Sequence, residues 1–289
     1  ALLGVVRDSK QSAIARATAV TALGAWLDQT VAQSIFENLE DPSPLVRRAA
    51  VEALSNAPAQ LRGELLATSL QDPVREVRSA AVVGLADLPP GTLAPSMASA
   101  YSRALGDYRA TLELDADRPE AQVNLGVLLT QQRDIDGAEA AYRQALKLEP
   151  GHAAAVVNLA DLFRASGRDG QGGEIFLSAL TLNPDAADVH HAFGLWLVRQ
   201  QRPEQALVAL RRAAELAPEV ARYGYVLGVA LHGQNQVQSA LAVLERVLEQ
   251  HPYDPESLTA VVYWRQQMGA DPGEYAQRLL ELQKLNGGN

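Results

Sequence analysis

The chain has 289 residues, no cysteine and a formal net charge of −9. The lack of cysteine excludes disulfides, zinc–thiolate sites, c-type haem attachment and cysteine nucleophiles. The acidic balance argues against a nucleic-acid partner, and no apolar run approaches the roughly 20 residues that span a bilayer, so we expect no membrane insertion. The sequence starts at Ala1 inside a helix-like run. We therefore expect it to be a piece of a longer protein.

Residues 1–91 carry a repeat with a step of 31 residues. Two copies open with Asp-Pro, a pair suited to capping and starting a helix. The positions in register are Arg16, Arg47 and Arg78, then Ala19, Ala50 and Ala81, then Leu23, Leu54 and Leu85. This pattern resembles HEAT-type repeats, in about three copies with the first truncated. We interpret the three arginines as a ladder that bonds to a loop acid of the neighbouring repeat, in preference to an anion site.

Residues 92–118 form a predicted linking helix. Pro89-Pro90-Gly91 interrupts the first pattern, and helical spacing resumes from about Pro95 to Leu114. Ala104 and Tyr108 lie 34 residues before Ala138 and Tyr142. The helix therefore reads as half of a unit of the next repeat, and we expect a rigid join.

Residues 119–254 repeat at a step of 34 residues, in four copies that each end at a proline. The prolines are Pro150, Pro184, Pro218 and Pro252; small residues recur at Gly126, Ala160, Gly194 and Gly228; large ones recur at Tyr142, Phe176, Leu210 and Leu244. This pattern resembles the tetratricopeptide repeat (TPR), which implies two antiparallel helices per repeat. The family's aromatic residue at the fourth position is replaced by Gln122, Val156, His190 and Gly224.

Residues 255–289 keep the pattern only in part, and we predict a degenerate capping repeat whose last helix covers about 273–286. The predicted fold is therefore all-α: an α-solenoid of HEAT-like helix pairs followed by a right-handed TPR superhelix. No strand-like alternation is present.

The search for catalytic chemistry finds little. The glycine-rich run 167–173 has no lysine and follows a helix, so a turn is a better interpretation than a phosphate loop. His190 and His191 are adjacent on a helix and point in different directions; we place His190 in the core and His191 on the inner surface. We expect no catalytic residue, no metal site and no cofactor, and hence no enzyme.

The TPR resemblance implies a concave groove, lined by the first helix of each repeat, that takes a peptide or a partner segment. Asn124 and Asn158 are one repeat apart, where family members hydrogen-bond a peptide backbone; the alternative is that asparagine is merely common there. Arg164, Arg199 and Arg222 suggest a basic strip and a partly acidic partner. The candidate groove residues are Val123, Asn124, Val127, Val157, Asn158, Asp161, Arg164, His191, Leu195, Arg199, Arg222, Tyr225, Val229 and His232.

Two functional hypotheses remain open. The first is a non-catalytic scaffold that binds a protein or peptide. The second is the partner-docking or assembly region of a larger enzyme whose catalytic part lies outside this chain. The order of HEAT-like and TPR-like segments is similar to the C-terminal region of bacterial multihaem c-type cytochromes. That resemblance implies a bacterial, periplasmic protein, which we favour over a cytoplasmic one.

Overall fold

The computed structural model describes residues 2–89 and 91–287, and within them all regular secondary structure is helical. The chain divides into two compact units, residues 1–144 and 145–289. The first unit contains α1 (Leu2–Arg7), α2 (Ala13–Leu23), α3 (Gln29–Glu37), α4 (Pro44–Leu54), α5 (Ala59–Leu65), α6 (Arg75–Leu85), α7 (Pro95–Leu114) and α8 (Pro119–Gln131). The boundary falls within α9 (Ile135–Leu148).

The second unit continues with α10 (Ala153–Ala165), α11 (Gly172–Leu182), α12 (Ala187–Arg199), α13 (Pro203–Leu216), α14 (Ala221–Gly233), α15 (Val237–Gln250), α16 (Pro255–Gln267) and α17 (Gly273–Gly287). The all-α fold class is confirmed. The proposed domain boundaries after residues 91, 118 and 254 stay predictions. Ala1 and Pro90, which belong to the first predicted domain, lie outside the described residues.

The arginine ladder is confirmed in the first unit for Arg16 and Arg47. Arg16 Nη2 donates to Asp41 Oδ1 at 2.9 Å, and Arg47 Nε donates to Asp72 Oδ2 at 2.7 Å. Both arginines thus tie a helix to the loop acid of the next repeat. Arg78 differs: it donates to the Asp72 carbonyl of its own repeat at 2.7 Å, and it lies 3.7 Å from Asp107 of α7 and not from a loop acid.

The Asp-Pro pairs do not start helices as predicted. α4 begins at Pro44 and not at Pro42. The Asp41 carboxylate instead accepts a hydrogen bond from the Ser43 amide at 2.8 Å, and Asp72 accepts from the Val74 amide at the same distance. The acid therefore shapes the turn before the helix, because its side chain bonds the backbone two residues ahead.

The two helices approach closely in the three TPR repeats whose first helix carries glycine at the small-residue position. A Cβ atom on Gly194 would lie 2.6 Å from Leu210 Cδ2, and one on Gly228 would lie 2.6 Å from Leu244 Cδ2. In the first unit, Gly126 faces the Tyr142 ring in the same way. The small residue of the first helix is therefore needed to admit the large, fully buried residue of the second.

The turns between the paired helices repeat at the same step, a feature that the sequence analysis missed. Left-handed backbone occurs at Arg133, Gly167, Gln201, Asn235 and Gly269, with φ between 58° and 75°. These positions are 34 residues apart, so the repeat continues into the C-terminal segment. A single left-handed residue after the first helix reverses the chain direction in each of these repeats.

The residues that replace the family's aromatic at the fourth position have their own contacts. Gln122 Nε2 donates to the Ala116 carbonyl at 2.9 Å, and His190 Nε2 lies 2.8 Å from the Pro184 carbonyl. Both side chains reach six residues back to the preceding turn. They hold the start of a first helix by a hydrogen bond where an aromatic ring would hold it by packing.

Candidate functional site

The structure places most of the predicted groove residues on the accessible surface of their unit. In the first unit, Asn124 is exposed and Val127 is half-buried. In the second unit, the exposed members are Asp161, Arg164, Arg199, Arg222 and Val229. The half-buried members of the second unit are Val157, Asn158, Leu195, Tyr225 and His232.

Two of the predicted groove residues are buried, and their assignment to an open surface was wrong. Val123 and His191 occupy the same position in two repeats, and only 7% and 8% of their surfaces are exposed. The His191 ring stacks on Tyr223 of α14, with centroids 4.6 Å apart. This position therefore points toward a neighbouring helix and packs, while His190 keeps its contact with the preceding turn.

His191 is uncharged at neutral pH. Burial lowers its pKa to about 4, and the positive charge of Arg222 adds to the effect. Among the described residues, neither ring nitrogen of His191 has a hydrogen-bond partner. His232 is stacked in a similar way, 4.2 Å from the ring of Trp264 on α16. Both histidines thus support contacts between successive first helices.

An apolar cavity of about 530 Å³ lies between α12, α13 and α14. We call it the inner cavity; its lining includes Leu195, Val198, Val226, Val229 and Ala230, with Gln201 and Gln234 at one end. Val198 and Val229 are exposed. The structure therefore brings together two predicted groove residues, Leu195 and Val229, around one apolar recess.

The predicted basic strip does not form as three available charges. Arg199 donates to both carboxylate oxygens of Asp169, at 2.9 and 3.1 Å, and these bonds lower the pKa of that carboxyl. Arg164 pairs with Asp161 at 3.1 Å. Arg222 has no ion-pair partner in the part of the chain that the structure describes. Charge on this surface is therefore largely neutralised.

The glycine-rich run joins α10 to α11 as predicted, through a turn at Gly167 and a short 3₁₀ helix, Asp169–Gln171, that contacts α12. Trp196 Nε1 donates to the Asp169 carbonyl at 2.7 Å, and Gln200 Nε2 donates to the Asp169 carboxylate at 3.0 Å. A Cβ atom on Gly173 would lie 2.6 Å from Trp196 Cη2. The glycines thus admit the indole ring, and the run serves packing.

A second recess, about 760 Å³ in volume, lies in the first unit between α4, α6, α7 and α8. Its charged lining includes Arg48, Glu52, Arg75, Glu76 and Glu120. Asn124 contributes to its wall. No sequence pattern predicts this site, because its residues come from both types of repeat and share no common spacing.

None of the helices in residues 2–89 and 91–287 combines the length and hydrophobicity needed to cross a bilayer. This finding agrees with the absence of long apolar runs in the sequence.

Comparisons with known proteins agree with the observed helix pairs. The HEAT-repeat profile matches residues 2–86, and the tetratricopeptide-repeat profile matches residues 98–143, 129–187 and 191–255. No curated protein matches the chain. The crystal structure of MamA is similar with a TM-score of 0.50 at 20% identity, over 57% of this chain and 98% of MamA.

PilF of Pseudomonas aeruginosa is similar with a TM-score of 0.51 at 19% identity, over 74% of this chain and 95% of PilF. At these identities the similarity concerns the fold alone.

Proposed function

Because this chain belongs to the tetratricopeptide-repeat family, with HEAT repeats before its TPR helices, we propose that it is a non-catalytic scaffold that binds a segment of a protein partner. Helical repeats of this type expose long surfaces for protein–protein contact. The proposed binding surface is the first-helix face, and the observation that supports it most is the inner cavity between α12, α13 and α14.

The chemistry of the inner cavity favours an apolar anchor. Val198 and Val229 are exposed beside the half-buried Leu195 and Val226. A partner side chain such as leucine or phenylalanine placed among them would remove apolar surface on both molecules from water, at about 25 cal/mol per Å². The amides of Gln201 and Gln234 at the edge of the cavity can bond the backbone on either side of that anchor.

The neutralised arginines bear on the chemistry of the partner. Since Arg164 and Arg199 already pair with Asp161 and Asp169, an acidic partner would have to compete with these bonds. We therefore propose recognition that is mainly apolar and depends weakly on salt. Asn158, half-buried on the same face, contributes a hydrogen bond to the partner backbone in this proposal.

A peptide selection tests the proposed function. A displayed library of random peptides of about 12 residues is panned against the whole chain, and the selected peptide is measured by fluorescence anisotropy. Val229→Asp is expected to weaken binding at least about tenfold, because it places a charge in the inner cavity. The matched control is Val208→Asp, the same change at an exposed position of α13 that does not line this cavity.

The control is expected to bind as the unchanged chain does. Asn158→Ala is expected to cost less than Val229→Asp, since one hydrogen bond contributes about 1 kcal/mol. Equal affinity of Val229→Asp and the unchanged chain would contradict the proposal, and so would a library that yields no binding peptide.

A further inference from the structure

The second unit has an apolar surface on the second helices of its repeats, away from the residues of the inner cavity. α11 contains one charged residue, Glu174, near its start. Leu177 and Leu182 of this helix are 57% and 58% exposed. A surface helix of a soluble protein normally carries polar residues on its solvent side. α11 thus exposes two leucines beside the polar Glu174, Ser178 and Thr181, and Leu177 is the exposed one that lines a neighbouring cleft.

A cleft of about 620 Å³ lies beside this surface, between α11, α12 and α13. We call it the outer cleft; its lining includes Leu177, Leu180, Phe193, Trp196, Val208 and Ala209. Val208 is 69% exposed.

The floor of the outer cleft is a packed cluster of three aromatic rings. The Phe193 ring is stacked on Trp196 at 5.8 Å between centroids, and both rings contact Phe176. The Trp196 indole is fixed in turn by its hydrogen bond to the Asp169 carbonyl. An apolar surface that is already ordered loses little side-chain entropy when a partner binds.

The charged residues that line the outer cleft are Arg202 and Arg212. Arg212 pairs with Asp185 at 2.6 Å on the exposed surface. Arg202, just before α13, has no ion-pair partner among the described residues. Ten residues at 1.5 Å each separate the two along α13, about 15 Å or nearly three helical turns. Arg212 also lies 4.0 Å from Glu215, so the cleft is an apolar strip whose unpaired positive charge is Arg202, at the start of α13.

We propose that the outer cleft docks an acidic amphipathic helix of a partner protein. Such a helix presents apolar residues at positions i, i+3, i+4 and i+7, a stripe that fits between α11 and α13. An acidic residue of that helix meets the unpaired Arg202, which gives the complex its charge complementarity. The inference goes beyond the proposed function, because it adds a second binding surface that is lined by different residues and takes a different form of partner.

The probe for the test is a fluorescent peptide of about 15 residues with leucine at i, i+3, i+4 and i+7 and mainly glutamate between. A peptide of the same composition with the leucines scrambled is its control. Both are titrated against the whole chain by anisotropy at low and high salt. The patterned peptide is expected to bind, more weakly at high salt, and the scrambled one at least about tenfold more weakly.

Two pairs of variants locate the binding. Val208→Asp is expected to weaken binding at least about tenfold, and Val229→Asp in the inner cavity to leave it unchanged. Arg202→Glu is expected to weaken binding and reduce its salt dependence, whereas Arg222→Glu, at another exposed arginine without an acid partner, has no effect.

Several results would overturn the inference. They are no binding of the patterned peptide, equal binding of the scrambled one, and unchanged binding by Val208→Asp. Anionic phosphatidylserine vesicles provide a further arm. Binding of vesicles but not of the peptide, abolished by Val208→Asp, would assign the cleft to a lipid surface. If the peptide selection for the inner cavity fails, this test still stands, because Val229→Asp reports on the inner cavity and Val208→Asp on the outer cleft.

Discussion

Replacing Arg47 with alanine is expected to destabilise the HEAT-repeat helices by about 3–4 kcal/mol. The guanidinium donates two hydrogen bonds to Asp72, at 2.7 and 3.0 Å, and one to the Asp41 carbonyl at 2.8 Å. The two side chains are 12% and 7% exposed. Removal of Arg47 therefore leaves a carboxylate buried without its counter-ion, and the cost of that desolvated charge sets the magnitude.

The matched control is the next residue on the same helix. Arg48 is 53% exposed and pairs with Glu52 one turn away, at 2.7 Å. Arg48→Ala is expected to change stability by no more than about 0.5 kcal/mol, since exposed pairs contribute little. Both variants lose an arginine from α4, so the difference between their stabilities measures the effect of burial and of the ladder contacts.

Hydrogen exchange of the whole chain is the suitable assay, because the stability of repeat proteins varies along the chain. A loss of 3 kcal/mol lowers the protection of the slowest amides in α4 and α6 by about two orders of magnitude. Amides of α12 to α15 are expected to exchange as before. Equal loss of protection in Arg47→Ala and Arg48→Ala would refute the reasoning, and so would a loss in neither.

Three further predictions concern the turns, the acid limit of stability and the linking helix. Gly167→Ala is expected to lower stability by about 1 kcal/mol, because its φ is 75°. Gly170→Ala, in equally open space at ordinary φ, is expected to be neutral in thermal unfolding. Burial raises the pKa of Asp72, but hydrogen bonds and the charge of Arg47 outweigh it, so the folded pKa lies below the ordinary 3.8. The contribution of Asp72 to the free energy of unfolding is thus complete above pH 3.8 and is lost as the pH falls through the folded pKa. Acid denaturation of Asp72→Asn should lack this pH dependence. Limited proteolysis is expected to spare residues 92–118, and two stable halves from a cut there would disprove a rigid join.

Much of the fold was predictable because its packing requires residues of a particular size at particular positions. Gly194 and Gly228 have to be small, since Leu210 and Leu244 fill the space opposite them. The left-handed turns have no such signature: Arg133, for example, occupies a position where another repeat has glycine. The backbone conformation repeats at these turn positions while the residue type does not, so their 34-residue spacing is not visible in the sequence.

The candidate site was predictable only in part, for a different reason. Helical spacing gives the direction of a side chain from its own helix but not what the next helix places opposite it. His191 was predicted on the inner surface, but it is buried because the Tyr223 ring of the next first helix stacks on it. The apolar run of α11 fits a buried helix as well as an exposed one. Only the structure shows that Leu177 and Leu182 are exposed.

The most direct measurement of the central claim is photo-cross-linking of a selected peptide to the whole chain. The peptide carries a photoreactive residue beside its apolar anchor, and the cross-linked positions are identified by mass spectrometry. Binding in the inner cavity predicts cross-links on α12 and α14, near Leu195 and Val229, that Val229→Asp abolishes and Val208→Asp does not. Cross-links confined to α11 and the exposed side of α13, unchanged by Val229→Asp, would contradict recognition through the first helices.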